Sequence, residues 1–451
     1  MPDSKKHLQK IQDILQAKVA PIAGAISSQR HISAVKDGLM FTVPLTILGG
    51  FALILAQPPV DPNIIKPVNF FYKFLLGWKE WATVNAQTLM IPYNMTIGLL
   101  GLFAVVAIAY NLASSYEMNP LSESISALLT FLAVVAPATI VDTNRPSALF
   151  ISTDYLGAKG IFTAIIIALL TVEISRFLIN KNIKIKMPSN VPPMVSAPFE
   201  SLIPVVTNII LFLTINQAII NTTGMNIPQA IMTLLSPAIK AIDSLGAIIL
   251  TSVLTNFLWF FGIHGGAVVQ SVIQPFTALN FAENAQALAV GESMPHIFAG
   301  GFFNTFINIG GSGAALGLAL AILIVAKSAQ LKSVFKVAII PVIFGISEPL
   351  VFGVPIIMNP YLFIPIVCAP IVNSVITYFV MSLNLVGKIY ISFPFTTPGP
   401  IAAFLGTMDW KAVILWCILV IIDTIIYIPF VKLYDIDLQK REARIETEMH
   451  I

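Results

Sequence analysis

Four stretches of the chain, residues 81–116, 201–239, 244–282 and 293–326, contain no Asp, Glu, Lys or Arg. Each exceeds the roughly 20 apolar residues that carry a helix across a bilayer. Charged residues make up 10% of the 451, against roughly 25% in soluble globular proteins, so a water-soluble surface of this size is excluded. A β-barrel would read as segments of about ten residues alternating apolar and polar, and "AIILTSVLTNFLWFFG" and "LGLALAILIVA" show no such alternation. The sequence predicts an all-α fold, a polytopic α-helical membrane protein.

The first half reads as conventional spans over 36–56, 95–115, 121–141 and 160–179. A weaker one, 68–91, holds Lys73, Lys79 and Glu80 beside Trp78 and Trp81, which is interface chemistry as much as span chemistry. Residues 1–32 lack the apolar core of a signal peptide. Their Lys5, Lys6, Lys10, Lys18 and Arg30 place the N-terminus in the cytoplasm by the positive-inside rule. The basic cluster Arg176, Lys181, Lys184 and Lys186 falls inside if four spans precede it and outside if 68–91 makes a fifth.

Residues 187–200 hold Pro188, Pro192, Pro193 and Pro198, which a continuous helix does not tolerate. They mark a boundary between 33–186, a transmembrane scaffold, and 247–431, a second transmembrane domain. The connecting region, 187–246, carries one span (201–222) and a segment with apolar residues at i, i+3, i+4 spacing. That segment, 227–243, predicts an amphipathic helix capped by Asn226 and kinked near Pro237. Residues 432–451 form a charged tail, expected in the cytoplasm. Cys368 and Cys417 lie in apolar segments, too isolated for a disulfide framework, and are expected simply to pack.

Glycine, proline and asparagine repeatedly interrupt the second half: "FGIHGG", "FFNTFINIGGSG", "FGISEP", "FGVPIIMNP" and "FPFTTPGP". Non-helical backbone at membrane depth survives where protein covers it or where it lines a wet cavity. The breaks therefore predict re-entrant hairpins around a polar site, the usual position of a transporter's substrate. Phe261-Gly262-Ile263 before His264 is echoed by Phe344-Gly345-Ile346 before Ser347 and Glu348.

Glu348 is the only charged residue between Val337 and Gly387. A carboxylate at the bilayer centre costs about 2.5–3.5 kcal/mol on insertion scales and marks a functional site by default. His264 can donate and accept hydrogen bonds, with Trp259 before it and Gly265 and Gly266 after it allowing close approach of a ligand. His296 reads as a residue near the interface. Asn304 and Asn308, at i, i+4, would share one helix face beside Phe302, Phe303 and Phe306, amides and rings that suit a sugar. Thr305, Ser312, Thr396 and Thr397 add hydroxyls. No metal-ligating cluster emerges, no cofactor is implied, and "GGSGAALG" lacks the lysine of a phosphate-binding loop. The net charge of +3 suggests no nucleic acid. On the residues alone, Glu348 fits either a sugar site or the proton carrier of an ion-coupled secondary transporter. An intramembrane acyl or glycosyl transferase using His264 and Glu348 is a third reading.

"FFGIHGG", "NIGGSGAALGL", "FGISEPLVFGVPIIMNP" and "TTPGP", in that order, resemble enzyme IIC, the membrane component of the sugar phosphotransferase system, and specifically its lactose, cellobiose and diacetylchitobiose branch. The resemblance spans essentially the whole chain. It implies homodimers in the bacterial inner membrane, with about ten spans, an N-terminal half making most of the dimer contact and a C-terminal half holding the sugar in re-entrant hairpins. The sugar domain would cross the membrane as a rigid body, with the 227–243 helix as its connecting arm. It further implies a β-linked disaccharide substrate, for which Trp259, Gly265, Gly266, Asn304, Asn308, Ser347, Phe395, Thr396 and Thr397 are the expected binding residues. Glu348 and His264 would hydrogen-bond the sugar's 6-hydroxyl, the acceptor in a phosphoenolpyruvate-dependent phosphotransfer. The donor would be a phosphocysteine on a separate cytoplasmic IIB protein, supplied by IIA upstream, because the tail "VKLYDIDLQKREARIETEMHI" carries no cysteine. Members often have tryptophan before Thr-Thr-Pro where this chain has Phe395.

Overall fold

The computed structural model describes residues 25, 28–58, 67, 70–140, 149–186, 193–357 and 359–449. Most of the expected N-terminal segment lies outside the described residues, as does 187–192 of the proline-rich stretch 187–200; the rest of that stretch, expected not to be helical, is helix from Pro193 through Pro198. The described residues are mainly helical, as the unbroken apolar runs dictate. The chain forms two compact units. One comprises Ser28–Ala241 with Gln274–Pro295, and the other comprises Ile242–Ile273 with the residues from His296 onward. Gln274–Pro295, which lies within the C-terminal half of the sequence, groups with the N-terminal unit.

In the N-terminal unit the main helices are α1 (Arg30–Met40), α2 (Val43–Ala56), α3 (Phe70–Val84), α4 (Leu100–Ser115), α5 (Pro120–Val135), α6 (Ile161–Asn180), α7 (Pro193–Thr223) and α8 (Ile227–Ile242). A two-stranded antiparallel pair, β1 (Thr139–Ile140) with β2 (Leu149–Phe150), follows α5. The helix starts follow local chemistry. Asn119 Oδ1 accepts the Ser122 N–H at 3.1 Å to cap α5. Asn226 and Gln229 form a reciprocal capping box at α8, with bonds of 2.9 and 3.0 Å. A side chain at Gly38 would collide with the Ile108 backbone at 2.8 Å, so glycine there lets α1 lie directly against α4. Ala104, Ile108, Leu112, Phe131, Ile161 and Ile167 are wholly buried.

The C-terminal unit contains α9 (Leu245–Phe260), the first part of α10 (Gly265–Ala289), a π-helical turn (Phe303–Ile307), α11 (Ala315–Val325), α12 (Ala329–Ile343), α13 (Glu348–Gly353), α14 (Phe363–Ser382), α15 (Gly399–Thr407) and α16 (Trp410–Met449). Phe298, Phe302, Phe306, Leu318, Leu362 and Tyr427 form its buried centre.

Among the described residues, six helices are long and apolar enough to span a membrane: Arg30–Ala56, Ile97–Ser115, Ala158–Asn180, Phe199–Thr223, Phe363–Ser382 and Trp410–Arg444. The pair α8 and α9, bent by 72° at its break, makes a seventh if it is one span, and Pro120–Val135 and Ala315–Val325 are shorter apolar helices. The expected number of about ten is roughly met when these are included. The expected kink at Pro237 is placed differently: α8 runs through Pro237 and the sharp turn falls at Asp243 and Ser244. Cys368 and Cys417, expected to pack in the interior, are free and exposed on α14 and α16.

Candidate functional site

The echoed tripeptides share one backbone device. After α9, the Gly262 N–H bonds to Trp259 O and the Ile263 N–H to Leu258 O, both at 3.0 Å. After α12, the Gly345 N–H bonds to Val342 O and the Ile346 N–H to Pro341 O, again at 3.0 Å. These are Schellman caps, which need a left-handed residue at their turn. Gly262 at φ 79° and Gly345 at φ 76° supply it. Each cap ends a helix just before the residues of interest, His264 in one case and Ser347 and Glu348 in the other.

Both breaks open onto one cavity of about 240 Å³, just below the roughly 300–1,000 Å³ usual for small-molecule pockets. Of the residues singled out from sequence, Trp259, His264, Gly266, Asn304, Asn308, Ser312, Ser347, Glu348 and Phe395 all line it. Thr397 lines a smaller void behind Phe395. Gly265 lines neither; it packs against the Thr255 carbonyl, where a Cβ would stand at 2.0 Å. Thr396 lines neither. His296 sits elsewhere in the C-terminal unit, with Nδ1 3.2 Å from Asp243 Oδ2.

Glu348 begins α13 and is half-buried; its carboxylate makes no hydrogen bond or ion pair to a described residue. His264 is exposed to the cavity and its Nδ1 accepts the Ala267 N–H at 2.9 Å, capping α10. The proton of the neutral ring therefore sits on Nε2, which is free to donate. The Trp259 ring packs beside the imidazole with centroids 4.6 Å apart. Asn304 and Asn308 do not share an α-helical face as expected. Phe303–Ile307 is a π-helical turn and Asn308 caps it, which leaves Asn304 exposed with a free amide and buries Asn308.

The floor of the cavity is a hydrogen-bonded frame. Asn256 on α9, wholly buried, gives Nδ2 to Asn308 Oδ1 at 3.2 Å and accepts the Gly313 N–H at 2.7 Å. Ser347 Oγ accepts the Ser312 N–H at 3.2 Å. The Tyr427 hydroxyl donates to the Gly313 carbonyl. Asn373 joins the Ile307 carbonyl to Asp423 Oδ2 by bonds of 3.1 and 3.0 Å. At Gly311, φ 110°, a Cβ would lie 2.5 Å from Ser347 Cβ, so the glycine lets the 308–313 loop touch the Glu348 segment. Phe303, read from sequence as one of the rings beside the paired asparagines, also lines the cavity, as do Thr255 and Gln270, which sequence reading missed. Gln270 was detectable, since it follows cavity-lining Gly266 at i, i+4 on one helix face.

The family model described as phosphotransferase system, EIIC matches residues 36–370. The chain belongs to the phosphotransferase-system EIIC family. It is 33% identical over 447 residues to the lichenan permease IIC component of Bacillus subtilis (strain 168), covering 97% of each chain. It is 32% identical to the oligo-beta-mannoside-specific EIIC component of the same organism, covering 92% of each. Against the lactose-specific EIICB component of Streptococcus mutans serotype c it is 32% identical, covering 94% of this chain and 73% of that protein. The crystal structure of ChbC, the IIC component from the N,N'-diacetylchitobiose-specific phosphotransferase system, superposes with a TM-score of 0.84. That match has 33% identity and covers 95% of this chain and 99% of ChbC. The protein is thus a multi-pass membrane permease of the EIIC family, and its cavity has the free Asn304 amide, aromatic faces and single carboxylate described above.

Proposed function

We propose that this EIIC permease binds a β-linked disaccharide or short oligosaccharide in the Glu348 cavity and presents its 6-hydroxyl for phosphorylation. The observation that carries this is Glu348 itself, a carboxylate without a hydrogen-bonding partner among the described residues, set in a cavity with a histidine able to donate. Lactose, oligo-β-mannoside, lichenan and diacetylchitobiose, the sugars in the relatives' names, share β-glycosidic links, which supports the substrate class. Free amides at Asn304 and Gln270 suit hydroxyls, and Phe395 and Trp259 offer ring faces.

In this reading the hydroxyl oxygen accepts from His264 Nε2–H while its proton points at Glu348. A phosphocysteine on a separate IIB protein approaches from the cytoplasm. The hydroxyl oxygen bonds to phosphorus, the S–P bond breaks to leave thiolate, and Glu348 takes the proton. Positioning and charge stabilisation are most of what phosphoryl transfer asks of a protein. The N-terminus lies in the cytoplasm, the N-terminal unit mediates homodimerisation, and the C-terminal unit carries the sugar by an elevator-like motion on α8.

The test is saturable binding to a panel of β-disaccharides without ions or nucleotides, followed by formation of sugar phosphate with phospho-IIB. Folded protein that binds none of the panel, or uptake that follows an ion gradient and releases unmodified sugar, would sink the proposal in favour of ion-coupled transport. EIIC membership supports group translocation over that alternative.

A further inference from the structure

Three spans of the N-terminal unit end around one cavity remote in sequence from the sugar site. Arg30 opens α1, Ser115 closes α4, Asn180 closes α6, and together with Tyr116 and Arg176 they line a space of about 290 Å³. Because span termini define it, the cavity stands at the level of the headgroups. Two guanidinium groups share one aromatic platform, Arg176 at 3.9 Å and Arg30 at 5.0 Å from the Tyr116 ring centroid.

A carboxylate beneath them locks the platform. Glu173 accepts the Tyr116 hydroxyl, His31 Nε2 at 2.9 Å and Arg176 Nη1 at 3.3 Å. Its negative charge is therefore already shared among three donors. Arg30 makes no hydrogen bond to a described residue, and Arg176 gives only Nη1 to Glu173. Most N–H donors of both forks remain available. Glu117 is exposed at the rim and opposes an anion there, while Lys181 follows α6 directly. A basic pocket between spans with preset arginines is the chemistry that holds a phosphate oxyanion.

We propose that this cavity binds the phosphate of an anionic phospholipid headgroup. A free phosphate would offer the same oxyanion, but the position at the span ends and the neighbouring exposed Phe177 at 58% favour a ligand with acyl chains. The probe is phosphatidylglycerol against phosphatidylcholine, titrated into the full-length protein in detergent and read by native mass spectrometry. Phosphatidylglycerol should be retained over phosphatidylcholine by roughly tenfold or more, the ratio two basic residues supply near a membrane surface. The Arg30→Gln/Arg176→Gln double variant should lose that preference while melting cooperatively and eluting as one species without lipid. If the double variant does not fold, Arg30→Gln alone removes a side chain with no hydrogen bond to a described residue and should lower the ratio by at least about threefold. An undiminished preference in the folded variant, or equal retention of both lipids by the wild type, overturns the proposal. Stabilisation by millimolar inorganic phosphate that phosphatidylglycerol does not reproduce assigns the site to free phosphate and overturns it equally.

Discussion

His264 Nδ1 accepts the backbone N–H of Ala267 at 2.9 Å. One contact does two jobs. It caps α10, and it commits the lone pair of Nδ1, so that Nε2 carries the hydrogen toward the cavity. Under the proposed function, His264 in its neutral ring is the donor to the sugar, and proton acceptance falls to Glu348.

This separates two substitutions at 264. Asparagine can still cap the helix, so His264→Asn should melt near the wild type yet bind sugar about tenfold more weakly, the value of one good hydrogen bond. His264→Ala should lose affinity similarly and also about 1 kcal/mol of stability with the cap. Calorimetric titration and thermal melts of both variants measure this. Wild-type affinity in the asparagine variant would remove Nε2 from the site.

Glu348→Gln keeps the shape and the ability to hydrogen-bond but cannot take a proton. Sugar affinity should change little, while sugar phosphate formation with phospho-IIB falls by roughly 10²–10⁴, the usual contribution of a general base. Single-turnover phosphorylation with saturating sugar measures it. An undiminished rate would leave Glu348 a binding residue only.

Much of this site was legible because the hydrophobic background makes polar residues conspicuous. Glu348 and His264 stand out in charge-poor sequence, and Phe-Gly-Ile marks both helix ends through the conformation only glycine adopts cheaply. The frame beneath was not legible. Asn256, Asn373, Asp423 and Tyr427 come from three helices distant in sequence, and nothing local to each announces the partner. The π-helical turn at Phe303–Ile307 defeated a face argument built on 3.6-residue periodicity. Cys368 and Cys417 misled because in a membrane protein apolar flanks do not distinguish the packed side of a helix from its outer side.

Asp423 is wholly buried, and its Oδ1 and the Asn373 Oδ1 both lack a hydrogen bond to a described residue. Asparagine at 423 brings an N–H group where Oδ1 stands and keeps an oxygen for Asn373 Nδ2. Asp423→Asn should therefore be at least as stable as the wild type, whereas Asp423→Ala strips the partner from Asn373 and should cost about 1–3 kcal/mol. Thermal melts in one detergent compare them. An asparagine variant as damaged as the alanine one would show that the carboxylate charge is needed.

Asp243 sits at the 72° bend after α8, and its Oδ1 accepts the Ile297 and Phe298 N–H groups at 3.0 and 2.6 Å. Oδ2 faces His296 Nδ1 at 3.2 Å. Burial pushes the Lys388 pKa down, and Asp243 pulls it part of the way back. The chain passes from one unit to the other at 241–242 and again at 295–296, so this one carboxylate fastens two of the crossings together. Asp243→Ala would leave two buried backbone donors unmet, at about 1–3 kcal/mol each, whereas Asp243→Asn retains Oδ1 and should recover most of the loss. If the C-terminal unit moves during transport, the alanine variant should also bind sugar with wild-type affinity yet turn over more slowly, because the damage lies at the crossings and not in the cavity. Melting, sugar titration and phosphorylation rates for the pair give the answer. Equal melting of alanine variant and wild type would show that these bonds contribute nothing, and parallel loss of affinity and rate would place Asp243 among the supports of the sugar site.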